Sequence, residues 1–340
     1  MRDQPGLFVS EIVAANPRTR SAYRADLTDY WRFDEPRKFP GVSLEGRSVE
    51  VEVPLNLDTV AEYVKDLGRR GAALETVRRR LVALAALHAQ ERLPDPRRDR
   101  KVKEAYKALR EAGARRAQRK LAVSAEGVAD VVTTLDNLYT AHPAPDERKT
   151  RLYLRDRALL LLEFEAGLTR GELASLLCEN VVDAGGVLRM SVNRSGFMPT
   201  EGEEREWVSP AFSRDVRVPE GPDPSRCAVV AVRRWLLYAA IESGPVFRAV
   251  YNGGTIGAEA LSPRAITDLH KYWFERAAIG DVKQLSSHSI RSGRVASLVH
   301  AGRESEIKDL TGLKSLDTMS DVAAHARMRK RANRPLGKTL

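Results

Sequence analysis

The chain of 340 residues is long enough for two ordinary domains, and 43% hydrophobic residues supply each with a core. No apolar run reaches bilayer length and the N-terminal stretch MRDQPGLFVSEIVAANPRTR lacks the long apolar segment of a secretory signal, so a soluble, cytoplasmic protein with no membrane partner is expected. The net charge of +10, from 56 basic against 46 acidic residues, favours an acidic partner, DNA first.

From Thr19 to Phe33, Tyr23, Leu27, Tyr30 and Trp31 recur at helical spacing behind a cap at Asn16 and Pro17. A Pro- and Gly-rich loop follows from Glu35 to Asn56, after which Asp58 is placed as the cap of a helix carrying Val60, Tyr63, Val64 and Leu67. The next helix starts near Leu74 and sets Val77, Leu81, Leu84 and Leu87 inward, with Arg78, Arg79 and Arg80 fanning outward. A fourth helix, Arg100 to Glu111, carries Lys101, Lys103, Lys107 and Arg110. These four basic helices make one small domain, 1–112, closed by a charged linker, 113–123.

Beyond the linker, LRDRALLLLEFEAGLTRGELASLL reads as a buried helix, a Gly-containing turn and a second helix, and VLRMSVNR alternates as a strand whose hairpin or small sheet extends toward Trp207 and Val208. Helices are expected at Ala228 to Ile241, Ser262 to Ala277, His288 to Ala301 and Glu304 to Leu310. The second domain thus covers 124–326, followed by a basic tail, 327–340. The two cysteines, Cys178 and Cys227, are isolated and read as buried thiols, so neither a CxxC zinc site nor a disulfide framework is available. His88, His142, His270, His300 and His325 show no metal-ligand spacing; no metal and no cofactor are expected.

Several separated stretches, in order, carry a resemblance. NPRTRSAYRADLTDYWRF and LDTVAEYVKDLGRRGAALETVRRRLVALAALHAQ lie in the N-terminal half. RDRALLLLEFEAGLTRGELASL, SGPVFRAV, SSHSIRSGRVASLVHAG and TGLKSLDTMSDVAAHA follow in the C-terminal half. Together they resemble the tyrosine recombinases of the phage integrase family over nearly the whole chain, Asn16 to about Ala326, with HSIRSG the most specific motif. The resemblance implies a mainly α (α+β) protein: a helical core-binding (SAM-like) domain that meets one face of duplex DNA, and a catalytic-type domain with a small β-sheet or hairpin.

In that family a tyrosine attacks a phosphodiester while two arginines and neighbouring histidines hold the charge gathering on its oxygens, and a hairpin lysine protonates the leaving group. A guanidinium suits the task because its fork matches two phosphate oxygens. Set against the pattern, the first arginine falls at Thr169, three residues before Glu172. Arg170 is its neighbour, turned about 100° around a helix, and is the candidate substitute. The hairpin lysine falls in a stretch that places Gly196, and no lysine occurs between Lys149 and Lys271. The second box is kept, with His288 and Arg291 three apart on one helical face. The closing histidine falls at Leu313 and the nucleophile at Val322, and the last tyrosine of the chain is Tyr272. Ser315 and Ser320 lack an evident base and are poor replacements.

These residues lead to the expectation of a sequence-specific double-stranded DNA-binding protein that has lost strand cleavage, alone, self-associated on DNA or beside a partner recombinase. The alternative is an active recombinase with a rebuilt or partner-supplied site. Arg78, Arg79, Arg80, Lys101, Lys103, Lys107, Arg115, Arg116, Arg119, Lys120, His288 and Arg291 are the expected DNA contacts; for the basic runs the competing interpretation is an ordinary solvated face.

Overall fold

The computed structural model describes residues 6–8, 17–38, 48–113, 120–141, 146–193, 213–286 and 288–312. It divides into two compact units, 1–118 and 119–340.

The first unit holds α1 (Pro17–Lys38), α2 (Leu57–Arg69), α3 (Leu74–Gln90) and α4 (Arg100–Glu111), with β1 (Gly6–Phe8) paired antiparallel to β2 (Glu50–Glu52). The stretch from Glu35 is therefore less of a loop than its Pro and Gly content implies: α1 runs past Pro36 to Lys38, and β2 occupies part of the rest. The cap of α2 is Asn56 rather than Asp58, its side-chain oxygen accepting from the backbone N–H groups of Asp58 and Thr59. Apolar faces of the four helices close over Leu27, Tyr30, Tyr63, Leu67, Leu84 and Leu87, and Tyr30 meets Tyr63 edge to face at 5.1 Å. His88 is part of this scaffold. Its Nε2 accepts from the Leu55 N–H at 3.0 Å while Nδ1 donates to the Pro94 carbonyl at 2.6 Å, a pattern that fits one neutral tautomer.

In the second unit the expected helices are joined by one that periodicity did not reveal, α5 (Ala125–Thr140). Then come α6 (Glu147–Ala166), α7 (Arg170–Ala174), α8 (Ala228–Tyr238), α9 (Pro263–Arg276), α10 (His288–His300) and α11 (Ser305–Thr311). Strands β3 (Val181–Ala184), β4 (Val187–Asn193) and β5 (Ser213–Pro219) form an antiparallel sheet in that order, and β6 (Arg248–Val250) pairs with β7 (Ile256–Ala260). Trp207 and Val208 lie outside the described residues. Along β5 the alternation buries Arg214, Val216 and Val218 on one face, so one charged side chain enters the core with two valines.

Helix α6 is the axis of this unit, buried along much of its length. Its Arg-Asp-Arg run is buried yet satisfied: Arg155 pairs with Asp156, which accepts from the Trp273 indole at 2.9 Å, and Arg157 reaches Asp136 at 3.1 Å. Further along the same helix, Glu163 lies 2.6 Å from His270 of α9, both with essentially no exposed surface. Burial raises the Glu163 carboxyl above its ordinary value against the pull of His270. A group so raised stabilises the fold most at low pH, and that contribution fades as pH rises through its folded value. His270→Ala is expected to cost about 3 to 5 kcal/mol in urea unfolding at neutral pH, because it leaves Glu163 buried without a partner. A loss under about 1 kcal/mol, the range of an exposed pair, would contradict that account.

Cys227 is buried as expected, but Cys178 is only half-covered, since it opens the short 3₁₀ turn Cys178–Asn180 ahead of β3; burial raises its thiol above the ordinary value. Among the described residues no helix is long and apolar enough to cross a membrane, and no group of His, Cys, Asp and Glu could hold a metal.

Candidate functional site

Helix α6 ends at Gly167 in the left-handed conformation (φ 56°), and a β-carbon there would stand 3.3 Å from Leu310, so glycine answers both the turn and the close approach. The chain then enters α7 through a capping box. The Thr169 hydroxyl accepts from the Glu172 N–H at 3.2 Å, and Glu172 Oε2 accepts from the Thr169 N–H at 2.7 Å. Thr169 is thus committed to starting a helix. Arg170, exposed, donates to the Thr267 hydroxyl of α9 at 2.7 Å, whereas Arg214 and Arg291 converge on Glu172.

The Glu172 carboxylate is the hub. Oε1 accepts from Arg214 Nε at 3.1 Å, and Oε2 stands 3.2 Å from Arg291 Nη1. Arg214 arrives from β5 and Arg291 from α10, 42 and 119 residues away in the chain. Backbone carbonyls are met as well: Arg291 Nη1 also donates to Gly167 at 2.6 Å and its Nη2 to Thr311, and Arg214 Nη1 donates to Leu310. Glu172 and Arg214 are 4% and 5% exposed, and the Arg291 side chain keeps 13%. Burial lowers the Arg291 guanidinium from its ordinary value, Glu172 opposes this and Arg214 adds to it, so the three charges act as one system.

Helix α10 holds this geometry through the motif HSIRSG. His288 is exposed at its first turn, one turn before Arg291, and the His288 N–H donates to the Ser286 hydroxyl at 3.2 Å. Ser289, buried, accepts through its carbonyl from the Val123 N–H at 2.9 Å, which seats the segment 121–123 along the helix. Arg294 pairs with Glu165 at 2.9 Å and so stands apart from the hub.

Among the basic residues of the first unit, the three consecutive arginines of α3 do not fan outward as one cluster. Arg80 is turned in, 2.6 Å from Asp29, and Arg79, though exposed, binds the buried Asp26 at 2.8 Å; only Arg78 is exposed with no such tie to α1. The reason is that α1 presents Asp26 and Asp29 to this face, and Arg70 and Tyr63 join them at 2.8 and 2.6 Å. Burial raises Asp26 beyond what Arg79 lowers it, while at Asp29 burial is outweighed by hydrogen bonds from Arg70 and Tyr63, which hold it below its ordinary value. On α4, Lys101 pairs with Asp58 and Lys107 approaches Glu111 at 3.8 Å, while Lys103 is exposed. Lys120 donates to the Lys283 carbonyl. Arg115, Arg116, Arg119, Gly196, Leu313, Val322, Ser315, Ser320 and the tail from 327 lie outside the described residues.

Sequence reasoning found Arg291, His288 and the Thr169 to Glu172 stretch but not Arg214. The available signal was its place on the inward face of the alternating strand RDVRVP, where an arginine needs a buried partner.

No protein-family model matches the sequence. It is 25% identical over 311 residues to an integrase/recombinase xerD homolog of Selenomonas ruminantium, covering 90% of this chain and 80% of that protein. Among solved structures, the XerH site-specific recombinase bound to its difH substrate is similar with a TM-score of 0.53 at 13% identity, over 92% of this chain and 79% of that one. The Tn1549 transposon integrase in complex with transposon right-end DNA gives 0.55 at 12%, over 90% and 99%. A lambda integrase dimer bound to a COC' core site gives 0.53 at 14%, over 95% and 90%. The architecture, mostly helical with a small antiparallel sheet, is that of the tyrosine recombinase catalytic fold. The likeness to the curated relative is one of sequence over most of both chains, and the likeness to these solved structures is one of fold.

Proposed function

We propose that this chain is a sequence-specific duplex-DNA-binding protein derived from a tyrosine recombinase, which holds the DNA backbone at Arg291 and His288 without cutting it. It would serve maintenance, replication, regulation or recombination of a plasmid or mobile element in the cytoplasm, alone or beside a partner recombinase. In this proposal the residues 1–112 form the core-binding domain, 124–326 the catalytic-type domain and 113–123 the linker. The neighbouring folds are DNA complexes of recombinases, which supports duplex DNA as the partner.

The observation that carries the non-cleaving reading is the state of the first box. Thr169 spends its hydroxyl on the capping box and Arg170 bonds Thr267, while the chain offers no tyrosine after Tyr272. An attack on an already anionic phosphodiester needs preorganised cations and an activated nucleophile together, and each missing charge donor costs about 3 to 4 kcal/mol in the transition state. Affinity is supplied by phosphate contacts from Arg78, Lys103 and other basic residues of the helices, and falls steeply with salt.

The test is a supercoiled plasmid bearing the protein's binding site, incubated with the purified chain, then denatured and digested with protease. The expected result is a salt-sensitive band shift on the intact plasmid, with neither nicked circles nor a protein-DNA adduct. An adduct would make the chain an active recombinase with a rebuilt site. The same family likeness accommodates that outcome.

A further inference from the structure

Two arginines share one carboxylate in the core of the second unit, and the sum of charge there is the useful quantity. Glu172 receives Arg214 on Oε1 and Arg291 on Oε2, and among the described residues no second carboxylate hydrogen-bonds either guanidinium. Of the neighbouring charged groups, Glu163 lies against His270 at 2.6 Å and Arg294 is matched by Glu165. The trio by itself therefore sums to one positive charge, since guanidinium groups stay protonated in proteins, and among the described residues no further carboxylate bonds it.

A buried charge with no counterion is costly, so a sequence that keeps one is expected to have an anion to meet it. Arg291 is the member with remaining exposure, one turn from the exposed His288, while Arg214 is enclosed. Were Arg214 absent, Glu172 would cancel Arg291 and the pair would present no net charge to a phosphate.

We infer that Arg214 is a positioning residue that neutralises Glu172 from β5, so that Arg291 meets a DNA phosphate with its full charge. The inference rests on the proposal that DNA lies against Arg291, and it adds the mechanism by which that side chain stays attractive to an anion.

The experiment measures binding of the full chain to a fluorescein-labelled mixed-sequence duplex by anisotropy as salt is varied. Folding of each variant is checked by circular dichroism and thermal melting. Arg214→Met is expected to lower affinity about eightfold at ~0.1 M salt and to reduce the slope of log affinity against log salt by about 1, the signature of one lost phosphate contact. Arg214→Lys keeps the charge and is expected to keep the slope. The double variant Arg214→Met with Glu172→Gln again sums to one positive charge, and is expected to recover the wild-type slope. A purely structural arginine predicts otherwise, with lysine failing as methionine does and the double variant worse than either single change. Either of those outcomes, or a folded Arg214→Met with the wild-type slope, overturns the inference. Wild-type protein that ignores the duplex at every salt concentration overturns the proposed function instead.

Discussion

Gly293→Ala is expected to abolish folding of the second unit, seen as loss of its cooperative thermal transition. Gly293 closes the motif HSIRSG, and a β-carbon there would stand 1.6 Å from the Val123 carbonyl oxygen and 2.6 Å from its carbonyl carbon. A side-chain tip can swing away from such a contact, but a backbone carbonyl cannot unless its segment moves. That segment is pinned, because Val123 donates to the Ser289 carbonyl at 2.9 Å and Leu121 to the Gln284 carbonyl at 2.8 Å. Parting the two backbones would open the packing of α10 against α5 and α6, a loss above about 4 kcal/mol, beyond the range of ordinary substitutions. A variant melting within a few degrees of wild type would show that 121–123 is not held against α10. The glycine of this motif thus serves the seating of the helix that bears His288 and Arg291.

Glu172→Ala should cost about 3 to 5 kcal/mol in denaturant unfolding, because it strands two buried guanidinium groups opposite each other and removes the capping-box acceptor of α7. Glu172→Gln should lose less, since an amide still accepts one of these bonds. Equal midpoints for wild type and Glu172→Ala would mean that the arginines find other partners.

Much of the fold was legible because long amphipathic helices announce themselves by apolar spacing. Helix α4 spans Arg100–Glu111 as its periodicity indicates, and α3 begins at Leu74. Helix α5 escaped notice because AEGVADVVTTLDNLYT is dense in β-branched Val and Thr, which favour strands, and only packing of Val128, Val131, Val132 and Leu135 makes it a helix. The short strands β3, β6 and β7 carry too few residues for alternation to register. At the site, local motifs pointed to Arg291 and Thr169, whereas the Arg214–Glu172 bond joins residues 42 apart, one on β5 and one on α7. The same limit governed α3. Nothing within that helix shows that Asp26 and Asp29, more than 50 residues earlier, turn Arg80 inward and hold Arg79.

Helix α11 has seven residues, too few to persist by its own hydrogen bonds, and its last carbonyls, on Leu310 and Thr311, are met by guanidinium groups from β5 and α10. Its fraying is thereby linked to occupancy of those two side chains. Deuterium uptake at the Gly312 amide, which donates to Lys308 at 2.8 Å, becomes a local gauge of whether the arginines are engaged, readable without DNA and without any change in overall stability.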